Sequence, residues 1–164
     1  MSQETKSETV EQNETALSSW QAGVVGGLLG SFAFGLIMVL VIPDPVLEVA
    51  IPNLYGVEAT PDTAAPGIGW TIHLAHGAIL GVVFAVLLEL GIPSKYADSP
   101  VAAGSIGLAY GVIVWAGFAV LVMPVWLSAV GFPGAPPLPN IAELSLLGHA
   151  VYGLLLGLSY DLLT

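Results

Sequence analysis

Three histidines are the residues of this chain best suited to chemistry, and two of them recur in one setting. Residues 73–84 read HLAHGAILGVVF and residues 149–160 read HAVYGLLLGLSY, so His73 precedes Gly77 and Gly81 at intervals of four, as His149 precedes Gly153 and Gly157. An imidazole can donate and accept hydrogen bonds, carry a proton or bind a metal. A residue four positions before a glycine lies one helical turn away on nearly the same face, so both histidines head small-residue stripes turned toward other helices. His76 follows on about the same face, and its counterpart is Tyr152. His73, His76, His149 and Tyr152 therefore form a candidate buried polar cluster.

Such a cluster has three readings. In the first it is structural: a neutral imidazole donates to a backbone carbonyl across a close helix contact and accepts from Tyr152, a bond worth about 1 kcal/mol that also sets register. In the second, His73 and His149 place imidazoles on opposite sides of one iron, as in bis-histidine b-type haem bundles, and the glycines make room for the porphyrin. In the third, ionisable groups inside the bundle serve a small transporter or channel module working as an oligomer. A bare metal ion would find a sparse donor set, because no Cys, Asp or Glu stands beside the histidines. Glu143, near the start of the last apolar run, complements a helix dipole instead.

The elements that must carry these residues are apolar. The chain has 164 residues, 55% hydrophobic and 9% charged, against about 25% charged for soluble domains. Four runs, at about 20–42, 69–90, 101–127 and 141–163, each come near the roughly 20 residues a helix needs to cross about 30 Å of hydrocarbon. The expected fold is all-α, a four-helix transmembrane bundle forming one domain over 20–164, multi-pass in the cell membrane with the lipid bilayer as its medium. Residues 1–19 are acidic and nearly free of apolar side chains, so they are expected to be a disordered tail. The stretch PVLEVAIPNLYG in the first long loop, bounded by Pro45 and Pro52, suits either an interfacial or re-entrant helix over the bundle mouth or a plain lid, and Glu48 in its middle favours the interface over deep burial.

The halves of the chain repeat. Displaced by 81 residues, Ala22, Gly23, Gly26, Gly30 and Pro43 fall on Ala103, Gly104, Gly107, Gly111 and Pro124. A displacement of 76 then brings His73, Gly77 and Gly81 onto His149, Gly153 and Gly157. Two parallel two-helix repeats are the expected construction, related by an axis along the membrane normal. The glycines at 23, 26, 30, 77, 81, 104, 107, 111, 153 and 157 are the expected helix-packing positions, with Gly23, Gly26 and Gly30 on one face of the first helix and Gly104, Gly107 and Gly111 on one face of the third, since small residues let backbones approach where lipid is as apolar as the side chains.

Charge restricts function further. Twelve acidic residues stand against two basic ones, net −10 with no arginine, a balance that suits a high-salt cytoplasm and a halophilic source. The lack of a basic patch excludes nucleic acid as a partner. Absence of cysteine removes disulfide and thiolate chemistry. No nucleophile and base stand at useful spacing, and GVVGGLLG lacks the lysine and preceding strand of a phosphate loop, so no enzyme is expected. Lys6 and Lys95 fall on one side of the four runs, which points to both termini in the cytoplasm. Trp20, Trp70 and Trp126 sit near helix ends, as interfacial aromatics do.

The two hairpins, carried by Gly26, Gly30, Pro43, His73, Gly77 and Gly81 and by Gly107, Gly111, Pro124, His149, Gly153 and Gly157, resemble small uncharacterised four-helix membrane proteins of halophilic archaea. They are also distantly similar to a bacterial inner-membrane family of unknown function. The resemblance implies an integral membrane architecture and supplies no activity. A structural or accessory membrane subunit is the expected role, as a homo-oligomer or within a larger membrane complex, with no cofactor or, in the second reading, haem b.

Overall fold

The computed structural model describes residues 16–91 and 99–164. Residues 1–15 of the acidic tail lie outside the described residues, as do Lys6 and Lys95, on which the expected orientation rests. The described chain is helical, without a strand among the described residues. Its elements are α1 (Ser19–Leu40), α2 (Ile51–Leu54), α3 (Pro66–Glu89), α4 (Pro100–Val114), α5 (Met123–Ala129) and α6 (Glu143–Leu163). Four helices are long and apolar enough to cross a membrane: α1, α3, the continuous Pro100–Ala129 that joins α4 to α5, and α6. Large apolar side chains such as Leu29, Ile79, Ile113 and Phe118 are exposed on their outer faces, where a bilayer would cover them.

Three of the four long helices begin on a local signal. The Ser18 side chain meets the backbone at the third position of α1 while Gln21 reaches back to the Ser18 N–H at 3.1 Å, a capping box. Ser99 Oγ accepts from the Ala102 N–H at the head of α4 at 3.2 Å. Pro66 and Pro100 open α3 and α4, where a missing N–H costs nothing. Before α1, the Leu17 N–H donates to the Leu163 carbonyl at 2.9 Å. The two ends of the bundle thus lie on one face, here called the terminal face, and the long loops cover the opposite one.

The proline pair at the loop face acts differently in the two hairpins. α1 ends at Leu40, before Pro43, two residues short of the expected 42. Pro124 instead sits inside the third long helix, which widens into a π-helical stretch over Trp115–Val122 and continues to Ala129. There the Met123 N–H bonds to Phe118, five residues back, and Pro124 has no N–H for Val120, so the Ala119 and Val120 carbonyls lose their helical donors. Asn140, from the following loop, supplies its backbone N–H to Val120 O at 3.0 Å and brings its side-chain amide 3.5 Å from Ala119 O.

Of the two readings of the mouth stretch the helical one holds: a π-helical turn Val46–Ala50 runs into α2, with Leu47, Val49, Ile51 and Pro52 buried. Its Leu47 carbonyl occupies the space a side chain at Gly69 would fill, and Glu48 O accepts the Ala65 N–H at 2.9 Å. Asn53 closes the segment, its Nδ2 donating to Val49 O at 2.9 Å and Ala59 O at 2.8 Å.

Candidate functional site

Backbone contact decides where the polar rings sit. α1 packs along both α3 and α6, and α4 packs along α6. Gly23 lies against the Gly81 carbonyl and Gly27 against the Gly77 carbonyl, so a methyl group at either glycine would overlap the facing backbone. In the second hairpin Gly157 meets the Ala103 carbonyl, Gly153 meets that of Gly107, and Gly111 meets that of His149. The two hairpins are thus zipped alike, but Ala103, Gly107 and Gly111 stand where Gly23, Gly27 and Ser31 do. That correspondence is one residue out from the 81-residue alignment of the sequence.

One residue turns a helix by about 100°, which matters for the glycine stripe of α1. Gly23 and Gly27 face α3, whereas Gly26 lies against Leu156 and Gly30 against Tyr152, both on α6. α1 therefore offers glycine to two neighbours and occupies the centre of the bundle. Gly104 approaches the side chains of Leu154 and Leu158 rather than backbone.

His73 is buried, with 8% of its surface exposed, and its Nε2–H donates to Ser31 O of α1 at 2.8 Å. His149 keeps to its own helix: Nδ1–H donates to Ser145 O, one turn back, at 2.8 Å. The Phe34 ring packs on both imidazoles, with centroids 5.3 Å from His73 and 4.6 Å from His149. Phe34 is itself seated where Gly148 lacks a side chain. The two repeated histidines are thus brought to one aromatic ring and make no bond to each other.

The other two members go elsewhere. Tyr152 crosses the bundle to donate its hydroxyl to Gly77 O at 2.9 Å. His76 is hydrogen-bonded through Nε2 to the Tyr55 hydroxyl at 2.5 Å. Tyr55 also packs against Trp126 of α5, centroids 5.6 Å apart, so a His76–Tyr55–Trp126 group joins the mouth segment to both hairpins. Glu143 stands in the first turn of α6, where its carboxylate favours the helix dipole.

Sequence reasoning missed Phe34, Ser31, Tyr55 and Tyr110. Tyr110 donates its hydroxyl to Leu80 O at 2.8 Å, one turn along α3 from the carbonyl that Tyr152 uses. Its polar ring inside an apolar run was a usable signal; Ser31 gave none, because it acts through its carbonyl.

The residues do not fit a haem. His73 has its Nε2 bound to a carbonyl, and the space beside both imidazoles is filled by Phe34. Among the described residues no group of three or more His, Cys, Asp and Glu is arranged to hold a metal ion. What the arrangement does chemically is tie helices together: His73 binds α3 to α1, Tyr152 binds α6 to α3, and Tyr110 binds α4 to α3.

A protein-family model matches residues 17–164, described as a family of unknown function, DUF6789. No curated protein and no solved structure matches the chain.

Proposed function

Starting from a chain that belongs to the DUF6789 family, whose function is unknown, we propose an integral membrane protein of structural or accessory role, its buried polar rings serving helix association. One observation carries this reading. His73, Tyr152 and Tyr110, the polar rings that cross between long helices, each donate to a backbone carbonyl of a neighbouring helix at 2.8–2.9 Å. In a bilayer such bonds average about 0.6 kcal/mol, and leaving a donor unpaired costs more, so they fix partner and register more than they add stability. No catalysis enters the reading.

The finer parts of the proposal are a multi-pass position in the cell membrane with both termini cytoplasmic, descent from a duplicated two-helix unit, and a high-salt source. The like-zipped hairpins support duplication, and the net charge of −10 supports the source. Association into a homo-oligomer or larger membrane complex suits an accessory subunit. A transport role would need a passage, and Phe34, Tyr152 and Leu156 fill the bundle interior, so a path would have to run between copies.

The test combines colour with stability. Protein purified from its native host is expected to show no stoichiometric Soret band, His73→Ala to melt at a lower temperature, and His73→Gln to recover part of the loss by donating to Ser31 O. A Soret band abolished by both His73→Ala and His149→Ala would overturn the structural reading. Wild-type melting of His73→Ala with altered pH-dependent flux would replace it with transport.

A further inference from the structure

The third long helix is held differently at its two ends. Toward the terminal face, α4 is locked to α6 by backbone contact at Ala103, Gly107 and Gly111. Toward the loop face, α5 packs on α2 of the mouth segment more than on any long helix, with Pro124 and Leu127 buried and Trp126 set against Tyr55. Between the two ends runs the π-helical stretch Trp115–Val122, whose polar groups depend on help from outside the helix. Val120 O takes the backbone N–H of Asn140, and Ala119 O has the Asn140 amide at 3.5 Å. Among the described residues Trp115 Nε1 is the one buried side-chain nitrogen or oxygen without a partner, and nothing lies within 4 Å of a methyl group placed on Gly117. Buried donors in native proteins are nearly always paired, so this stretch is not packed for rigidity.

We propose that the π-helical stretch is a hinge on which α5 swings, and that Asn140 is the latch holding α5 closed against the mouth segment. The proposal goes beyond a structural role and rests on the reading of the long helices as membrane spans. Length puts the hinge where it can work. Pro100–Ala129 has 30 residues, about 45 Å at 1.5 Å per residue against about 30 Å of hydrocarbon. With Pro100 at one interface, Ala119 and Val120 come near the other. Deep in hydrocarbon a departing Asn140 would strand both carbonyls, whereas at the interface water takes its place. A widened turn followed by proline also has fewer internal bonds to break on bending. The swing lifts Trp126 from Tyr55 and exposes Leu127, and it uncovers the Tyr55–His76 bond that fixes the mouth segment to α3. Because α4 stays locked to α6, the motion is confined to the loop face.

The experiment uses the full chain in nanodiscs. It has no cysteine, so single introduced ones report alone. Leu127→Cys is expected to react with a water-soluble maleimide several-fold faster than Ala59→Cys, a position buried at the same face but off the hinge. Asn140→Ala should raise the Leu127→Cys rate about threefold, which is what loss of one hydrogen bond of average strength in a bilayer allows, and leave Ala59→Cys unchanged. Hydrogen exchange of the cysteine-free chain reads the same motion without the cavity that cysteine leaves at Leu127, and it decides the point if Leu127→Cys fails to fold: residues 125–130 should exchange faster than 47–54, and Asn140→Ala should widen the difference. Exchange no faster in 125–130, an α5 indifferent to Asn140→Ala, or equal acceleration of both cysteines overturns the hinge. Any of these in protein that has entered nanodiscs leaves the membrane reading standing, whereas a chain that does not enter them overturns that reading and the hinge with it.

Discussion

α1 meets α6 through Gly26 and Gly30, whereas α4 faces α3 with Ile106 and Tyr110 at the corresponding places. An exact two-fold relation between the hairpins would make these contacts identical. Instead the first sets glycine against the backbone carbonyls and side chains of Tyr152 and Leu156 without a gap, and the second is held open by two large residues, leaving a crevice beside Phe84. Phe84 and Tyr160, which a displacement of 76 residues superposes in the sequence, pack edge to face with centroids 5.7 Å apart where the hairpins meet. Residue volume at two positions per helix is enough to turn one close interface and one crevice out of similar hairpins, because membrane helices associate by packing and not by escape from water.

The largest expected effect comes from breaking what both hairpins share. Leucine at Gly77 would collide with the Ser31 side chain and the Gly27 carbonyl, and leucine at Gly153 with the backbone of Gly107 and Gly111. Backbone cannot yield as a side chain can, so both variants should lose at least about 3 kcal/mol, at or beyond the upper end for overpacking, and fail to elute as folded monodisperse protein in detergent. Wild-type elution would show that the helices have room between them.

Converting the close interface into the open one is the next step down. A methyl group on Gly30 would stand 2.6 Å from Tyr152 O, so Gly30→Tyr should prise α1 from α6 and cost about 2 kcal/mol. Cysteine pairs across α1 and α6 should cross-link less well in this variant while pairs across α1 and α3 are unchanged. Equal loss in both would mean that the two glycine faces of α1 are not independent.

The open interface should respond less. Tyr110→Phe keeps the ring against Phe84 and removes one hydroxyl from Leu80 O, an expected loss of about 0.6–1 kcal/mol in thermal or denaturant titration. Tyr152→Phe removes the matching bond to Gly77 O. Because both hydroxyls hold α3, the double variant should exceed the sum of the singles if the carbonyls are coupled. The smallest effect belongs to Gly117→Ala, in the π-helical stretch, where nothing lies within 4 Å of the added methyl; its stability should stay within about 0.5 kcal/mol.

Much of this architecture was legible before folding was considered. Long apolar runs announce spans because an unpaired backbone in hydrocarbon is too costly for anything but a helix, and all four expected runs lie on long helices within three residues at every end. The short helix over the mouth was legible from Pro45, Pro52 and the apolar residues between them. The candidate cluster was less so. His73, His149 and Tyr152 do lie in the interior or beside it, but His76 turns to Tyr55, a loop residue whose position no periodicity reveals.

The sequence by itself determined the number of long apolar helices, the glycines available for close packing and the class of residue able to bridge them, because those follow from composition and from a helical period of 3.6. Only the tertiary structure decided which glycine meets which helix. Gly23 faces α3 while Gly26 and Gly30, expected on the same face, meet α6, and Phe34 is brought against two histidines that look like a ligand pair on paper. Rotation about a helix axis is set by the sum of many small contacts with several neighbours at once, and no local pattern along one helix contains that sum.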